Sequence, residues 1–175
     1  EVREDDQPGK IHFLQKEGTS VDEGEGYLDK QNRRDFSEKQ LQTFINNTPI
    51  DLDASTYIQV GGYAAVCVLR SAAQIIAAKA LKKAQKVTLV WPANALSLFN
   101  PGEPAKSLDC HGSLGMDQIR AQLKIIIGNL VNTELAKFKT SAKVTIDYDT
   151  QRGKETITSG TSGIEVNIQI RDKIE

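Results

Sequence analysis

The sequence predicts an α+β domain, a two-layer sandwich in which two helices cover a mixed four-stranded sheet in the order β-α-β-α-β-β. A strand-like run is followed by two glycines and a long apolar helical pattern, and two alternating segments lie near the C-terminal end. The chain has 175 residues, of which 39% are hydrophobic and 26% charged. This length and composition suit one globular domain with a short appendage.

Charge is distributed unevenly along the chain. Residues 1–55 carry seven basic and thirteen acidic side chains, whereas residues 56–175 carry fifteen basic and ten acidic ones. We expect residues 1–34 to form an acidic arm that is flexible or loosely docked. The basic excess of the body either serves solvation or binds a polyanion. In the second case the arm competes with that polyanion or faces another partner.

A short helix and a linker are predicted over residues 35–55. Ser37 can cap the helix, and Leu41, Phe44 and Ile45 share one helical face. The core domain is then expected to cover residues 56–175.

A βαβ unit is predicted at the start of the core domain. Residues 56–60 form a strand, Gly61 and Gly62 allow a sharp turn, and an Ala-rich helix follows over residues 63–83. A second strand over residues 86–91 ends at a proline, so the two strands should be parallel.

A long loop over residues 93–115 is followed by a second amphipathic helix that runs to about residue 135. Two alternating strands are predicted over residues 143–148 and 164–171. We expect the polar residues between them, 149–163, to extend as a hairpin.

The candidate catalytic and metal-binding residues are few. Cys110 and His111 are adjacent, and neighbouring side chains on an extended backbone point to opposite sides, which makes a thiolate–imidazole pair awkward. Asp147 and Asp149 share a strand face but have no third ligand nearby in the sequence. We therefore expect no enzyme activity, no cofactor and no metal ion.

Three groups of residues suit contacts with nucleic-acid phosphates. The first is the turn and helix start, whose amides attract anions, and the second is the set of lysines in the last turns of the helix. The third is the tip of the hairpin, where a basic ribbon can follow a groove. The residues are Gly61, Gly62 and Tyr63; Lys79, Lys82 and Lys83; and Arg152, Gly153 and Lys154.

Three features of the sequence resemble the Alba family. They are the strand order, the run Tyr57-Ile58-Gln59-Val60-Gly61-Gly62, and the run from Ser162 to Arg171 that follows a Gly- and Arg-bearing hairpin. This family includes archaeal chromatin proteins and subunits of ribonuclease P and MRP. The resemblance covers residues 56–171 at the level of pattern. The C-terminal domain of translation initiation factor three would also fit the topology.

The resemblance implies a dimeric or heterodimeric DNA- or RNA-binding protein. By position, Gly61, Gly62 and Tyr63 match the turn that contacts phosphates in that family, and Arg152 and Lys154 match the hairpin that grips a groove. The chain departs from the family in two places. The turn lacks lysines, and the 93–115 loop replaces a short connection.

The leading hypothesis is a nucleic-acid-binding module that acts as a dimer or within a ribonucleoprotein or chromatin complex. The alternative is a structural subunit of an assembly such as a phage particle or secretion apparatus. A third hypothesis is an enzyme that uses the Cys110 thiol. The sequence contains no apolar run that could span a bilayer and no signal peptide, so we expect an intracellular protein, cytoplasmic or nuclear.

Overall fold

The structure is a computed structural model that describes residues 41, 42, 45, 46, 50–60, 64–95, 97, 98, 106, 107 and 115–172. The predicted acidic arm, the Gly61–Gly62–Tyr63 turn and Cys110 and His111 lie outside the described residues. In chain order the elements are β1 (Thr56–Ile58), a π-helical turn (Ala64–Val68), α1 (Leu69–Leu81), β2 (Lys86–Pro92), a 3-10 turn (Ala93–Ala95), β3 (Ser97–Leu98), β4 (Lys106–Ser107), α2 (Met116–Asn129), a second π-helical turn (Leu130–Glu134), α3 (Leu135–Lys137), β5 (Ala142–Thr150), β6 (Gly153–Ser159) and β7 (Ile164–Arg171).

The predicted α+β class is confirmed, with a mixed sheet and two long helices. Within the described residues the main sheet has five strands in the order β1-β2-β7-β5-β6, and β3 and β4 form a separate two-stranded ribbon. The first four strands run parallel to their neighbours, and β6 is antiparallel to β5. All four parallel strands therefore end at the same side of the sheet.

One face of the sheet is buried in regular rows across β2, β7 and β5. Alternation of apolar and polar residues, strict in β5 and β7 and interrupted by Val90 in β2, sends every second side chain to this face. Each row contains directly paired residues, and nearly all of them are fully buried. The rows are Val87, Val166 and Val144; Leu89, Ile168 and Ile146; and Trp91, Ile170 and Tyr148.

The helices pack on this buried face and form a single core with it. Leu69, Ala73 and Ile76 of α1 and Ile119 and Leu123 of α2 belong to the same buried cluster as the sheet rows. Their spacing of three, four or seven residues is the helical periodicity that the sequence predicts. The opposite face of the sheet has no helix against it among the described residues.

The prediction of four strands is wrong, because β6 lies within the segment expected to extend as a polar hairpin and adds a fifth strand to the sheet. The last two predicted strands also differ from expectation, since β7 runs parallel to β5 and separates it from β2. The true hairpin is formed by β5 and β6, with Gln151 and Arg152 at its turn. The chain then crosses the start of β5 to reach the centre of the sheet.

Two glycines make this crossing possible. Gly160 has φ of 81° and Gly163 has φ of 99°, a region that side chains other than glycine rarely adopt. A Cβ atom on Gly160 would overlap the carbonyl oxygen of Ala142, and one on Gly163 would overlap that of Ser141. The connection from β6 to β7 therefore depends on the absence of side chains at both positions.

Edge strand β1 is short but is joined to the core by a buried side-chain network. Gln59 follows β1, and its Oε1 accepts a hydrogen bond from Nε1 of Trp91 at 2.7 Å. Its Nε2 donates to Oγ of Ser71 in α1 at 2.8 Å. One buried amide thus links β1, β2 and α1.

Candidate nucleic-acid interface

The predicted phosphate-contacting residues do not form one cluster. Helix α1 leads from the end of β1 back to the start of β2, so its last turn lies at the side where the parallel strands begin. The turn of the β5–β6 hairpin lies at the side where they end. A strand of seven residues spans about 20 Å, so the helix lysines and the hairpin cations lie at opposite ends of the sheet.

Lys79 has an internal role. It is 6% exposed, and its ammonium group donates hydrogen bonds to the carbonyl oxygens of Leu52 at 2.9 Å and Ala54 at 2.8 Å. A buried ammonium group needs such acceptors to offset the loss of hydration. Lys79 therefore fixes the segment that leads into β1, and its charge does not reach the surface.

Lys82 is engaged by a carboxylate. Its Nζ lies 2.7 Å from Oδ1 of Asp53. This hydrogen bond and the attraction of the lysine charge lower the pKa of Asp53 below its ordinary value. The pair is close to neutral as a unit, so Lys82 adds little net charge to its surroundings.

Lys83 and Lys139 end two different helical segments in the same way. The amide of Lys83 bonds to Ala80 O and the amide of Ala84 to Lys79 O. At the end of α3, the amide of Lys139 bonds to Ala136 O and that of Thr140 to Leu135 O. Both patterns are Schellman motifs, in which glycine is the usual residue at the left-handed position.

Here lysine occupies that position twice, with φ of 61° at Lys83 and 52° at Lys139. A side chain in this conformation costs roughly 1 kcal/mol relative to glycine. Strained backbone of this kind is concentrated at functional sites in proteins. The favourable interaction of a cation with the C-terminal end of a helix offsets part of the cost.

Both lysines line one groove. It has a volume of about 860 Å³ and lies between the ends of α1 and α3 and the starts of β5 and β7. Its apolar wall is formed by Leu41, Ala77, Ala80, Leu81 and Phe138. The groove therefore combines an apolar wall with two cations held on strained backbone.

Two further lysines lie at the same end of the sheet, on its uncovered face. Lys86 begins β2 and Lys143 is the second residue of β5, and both are exposed. Glu165 of β7 stands between them in the strand register. Among the described residues, Lys83, Lys86, Lys139 and Lys143 make no side-chain hydrogen bond or ion pair, so this end carries a net positive charge. We call these four residues the lysine cluster.

The hairpin end has a different charge balance. Lys154 lies 3.3 Å from a carboxylate oxygen of Asp149, and Arg171 lies 2.7 Å from one of Asp147. Arg152 is half-buried at the turn, and Gly153 packs against Met116. The cations at this end are thus interleaved with carboxylates.

Arg120 of α2 is bound in the same way. Its Nε lies 2.6 Å from Oε2 of Glu155 in β6. The hydrogen bond to this carboxylate raises the pKa of Arg120 above its ordinary value. The contact attaches the edge strand to the helix layer.

The described part of the chain offers no group of three His, Cys, Asp or Glu side chains placed to hold a metal ion. None of its helices has both the length and the apolar character needed to cross a membrane.

No match was found among models of known protein families, among curated proteins or among solved structures. The resemblance to the Alba family therefore stays a prediction.

Sequence reasoning missed Lys86, Lys139 and Lys143. The helix end before Lys139 has no glycine or proline to mark it, so its left-handed lysine is visible only in the backbone geometry. A signal for the burial of Lys79 does exist. It lies three residues after Ile76 and seven after Ala72, on the apolar stripe of α1.

Proposed function

We propose that this chain is a nucleic-acid-binding module whose phosphate contacts are made by the lysine cluster. The observation that carries the proposal is the pair of left-handed lysines, Lys83 and Lys139, on one groove. Glycine would suit both backbones better, so a requirement for positive charge explains why lysine is present.

The balance of charge favours the end of the sheet with the lysine cluster, and not the hairpin end, as the main site of phosphate contacts. Lysines that have no carboxylate partner within the described residues attract the phosphate backbone and release its counterions, whereas paired cations are already partly neutralised. Lys83 is retained from the sequence-based prediction. Arg152, Gly153 and Lys154 stay in the proposal only as a second, weaker contact.

The spacing of the lysines suits a polymer with repeated phosphates better than a single small anion. Lys86 and Lys143 are separated by one intervening strand, β7, which places their backbones roughly 10 Å apart. Phosphate contacts position a protein without reading sequence. We therefore propose binding to DNA or RNA with little sequence preference, by a dimer or within a larger complex.

The proposal is tested by the salt dependence of binding. Fluorescence anisotropy of a duplex DNA, an RNA hairpin and a single strand is measured at about 50 and 200 mM salt. The test variant combines Lys83→Gln, Lys86→Gln, Lys139→Gln and Lys143→Gln. We expect the log–log salt slope to fall by roughly one unit for each lysine that contacts a phosphate.

The matched control changes one exposed lysine elsewhere, Lys124→Gln on α2, and is compared with the single variant Lys83→Gln. It should leave the slope nearly unchanged. An equal loss in both variants would mean that only the overall charge matters. A wild-type chain that binds none of the three probes at low salt would overturn the proposal.

A second candidate function, a structural subunit of an assembly, is favoured by the outer edge of β1. Tyr57 and Gln59 direct their backbone groups to β2, so the backbone groups of Thr56 and Ile58 face away from the sheet. Ile58 is 52% exposed and Val60 is 62% exposed. Within the part of the chain that the structure describes, no strand pairs with this edge, and an open edge beside apolar side chains can accept a strand from another chain.

This candidate is tested by sedimentation in high salt, where phosphate contacts are suppressed. A combined Ile58→Lys and Val60→Lys variant should dissociate any assembly built through this edge. Ile125→Lys is the matched control, since Ile125 is 53% exposed on α2, away from the edge. Monomers of the wild-type chain at all concentrations would exclude the assembly function.

A further inference from the structure

The groove between α1, α3 and the sheet has both a charged and an apolar surface, and a nucleic-acid backbone can contact only the charged one favourably. Lys83 and Lys139 offer positive charge, whereas Leu81, which is 37% exposed, and the partly exposed Ala80 and Phe138 offer apolar surface. Phosphates can pair with the lysines but leave the exposed part of the wall, chiefly Leu81, in contact with water. A segment of polypeptide with both carboxylates and apolar side chains matches both surfaces.

One segment of this chain has that composition. Residues 17–29 contain five acidic side chains and no basic one, and they also contain Val21, Tyr27 and Leu28. Such a stretch repels itself and has little to bury alone, but it complements a groove with cations at its rim.

The connection along the chain favours the same occupant. Leu41 is itself part of the groove wall, and only residues 30–40 separate it from the acidic segment. Residues 30–36 precede the helix predicted from Ser37, and a coil of seven residues has a root-mean-square reach of about 15 Å. A ligand tethered this closely acts at an effective concentration in the millimolar range.

We propose that residues 17–29 bind in this groove of their own chain, with carboxylates on Lys83 and Lys139 and apolar side chains on the wall. Docking itself is independent of the proposed function. If Lys83 and Lys139 also contact phosphates, the segment and a nucleic acid exclude each other, and the segment lowers the affinity for nucleic acid.

The first experiment detects docking without nucleic acid. The full chain is treated with a water-soluble carbodiimide, which joins a lysine amine to a nearby carboxylate with loss of water. A mixture of ¹⁴N- and ¹⁵N-labelled chains separates links within one chain from links between chains. We expect links from Asp22, Glu23 or Glu25 to Lys83 and Lys139, formed within one chain and lost at high salt.

Lys124 and Lys154 are the internal controls, because both are exposed but lie away from the groove. Links from the acidic segment to these lysines at equal yield would overturn the proposal. Links mainly between differently labelled chains would also overturn it and would identify a second copy as the occupant.

The second experiment measures competition in the full chain. The variant carries Glu17→Gln, Asp22→Asn, Glu23→Gln, Glu25→Gln and Asp29→Asn, and the probe is the duplex DNA. We expect the variant to bind this DNA about tenfold more tightly than the wild-type chain does. This is the gain expected when a tethered competitor with a Kd near 0.1 mM is released from the groove. A variant with Glu1→Gln, Glu4→Gln, Asp5→Asn, Asp6→Asn and Asp35→Asn changes the same number of charges and controls for net charge.

The two experiments separate the two proposals. Specific links together with no DNA binding by any variant would uphold docking and overturn the nucleic-acid function. DNA binding with equal affinity in the wild-type chain, the test variant and the control would overturn docking on the phosphate-contacting lysines.

Discussion

The indole nitrogen of Trp91 donates a hydrogen bond to Oε1 of Gln59 at 2.7 Å, and this contact ties edge strand β1 to the core. Trp91 is fully buried and Gln59 is 9% exposed. The three residues of β1 alone offer few backbone hydrogen bonds, so the side-chain bond contributes much of the attachment.

Gln59→Leu should destabilise the chain by about 2 kcal/mol, because it leaves the indole N–H of Trp91 buried without an acceptor. Urea unfolding followed by Trp91 fluorescence measures the change. Gln151→Leu, at the exposed β5–β6 turn, is the control and should change stability by less than about 0.5 kcal/mol. Similar values for both variants would contradict the role given to Gln59.

Lys79→Met should destabilise the chain by roughly 2 kcal/mol, since two carbonyl oxygens, of Leu52 and Ala54, lose a charged donor. Lys124→Met, on the exposed face of α2, should cost little. Denaturant midpoints compare the two. If Lys79 instead served binding, its variant would keep its stability and lose affinity for DNA.

Lys83→Gly and Lys139→Gly should act oppositely on stability and on binding. Glycine relieves the left-handed backbone, and we expect each variant to be more stable by about 0.5 kcal/mol after its larger unfolded-state entropy is included. Affinity for duplex DNA should fall in both variants. Thermal melts and anisotropy test the pair of effects, and a loss of stability would show that the lysines are kept for folding.

Gly160→Ala and Gly163→Ala should each cost at least about 2 kcal/mol, because both residues have positive φ and approach a neighbouring carbonyl too closely for a Cβ atom. The matched control is Gly128→Ala. This glycine lies within α2, and an added Cβ would meet no atom within 4 Å. The control should be stabilised by about 0.5 to 1 kcal/mol, as is usual for glycine replaced within a helix.

Tyr57 should make stability depend on alkaline pH. Burial, followed by the charges of Asp51 and Asp53, raises the pKa of Tyr57 from 10.0 to about 12. Because the folded state holds the phenol proton more tightly, this contribution is complete below pH 10 and is lost as the pH rises towards 12. The stability difference between the wild-type chain and Tyr57→Phe should therefore shrink between those values.

Tyr148→Phe is the control for this measurement. The hydroxyl of Tyr148 is buried without a hydrogen-bond partner among the described residues, whereas that of Tyr57 donates to the carbonyl of Asp51 at 2.8 Å. Removing the Tyr148 hydroxyl should be neutral or stabilising, and removing that of Tyr57 should cost about 1 kcal/mol at pH 7. The opposite order would contradict these contacts.

The sequence predicts the buried parts of the fold well. Alternation of apolar and polar residues locates β5 and β7, and the stripe containing Leu69, Ala73 and Ile76 locates α1, because burial of one face imposes these periods on the sequence. Strand β6 was missed because Ile157 is its only apolar side chain, which leaves no alternating pattern to detect. An edge strand needs few apolar residues, since it pairs with a neighbour on one side only.

Strand pairing and the site were less predictable. Neighbouring strands usually form hairpins, and no pattern in the sequence of β7 distinguishes a hairpin partner of β5 from a parallel neighbour. For the site, Lys79 and Lys83 are both lysines of one predicted helical segment, but Lys79 lies in the last turn of α1 and Lys83 lies beyond its end. Their roles differ because one points into the core and the other begins a left-handed turn.

The central position of β7 also bears on how the chain folds during synthesis. A nascent chain that has emerged only as far as Gly163 contains β1 and β2 as one fragment of sheet and the β5–β6 hairpin as another, with no strand to join them. Each fragment then has an unpaired inner edge, and its apolar face stays incompletely covered until β7 has been synthesised. We therefore expect cooperative folding of the sheet only after residues 164–171 have left the ribosome, with the apolar faces of both fragments exposed until then.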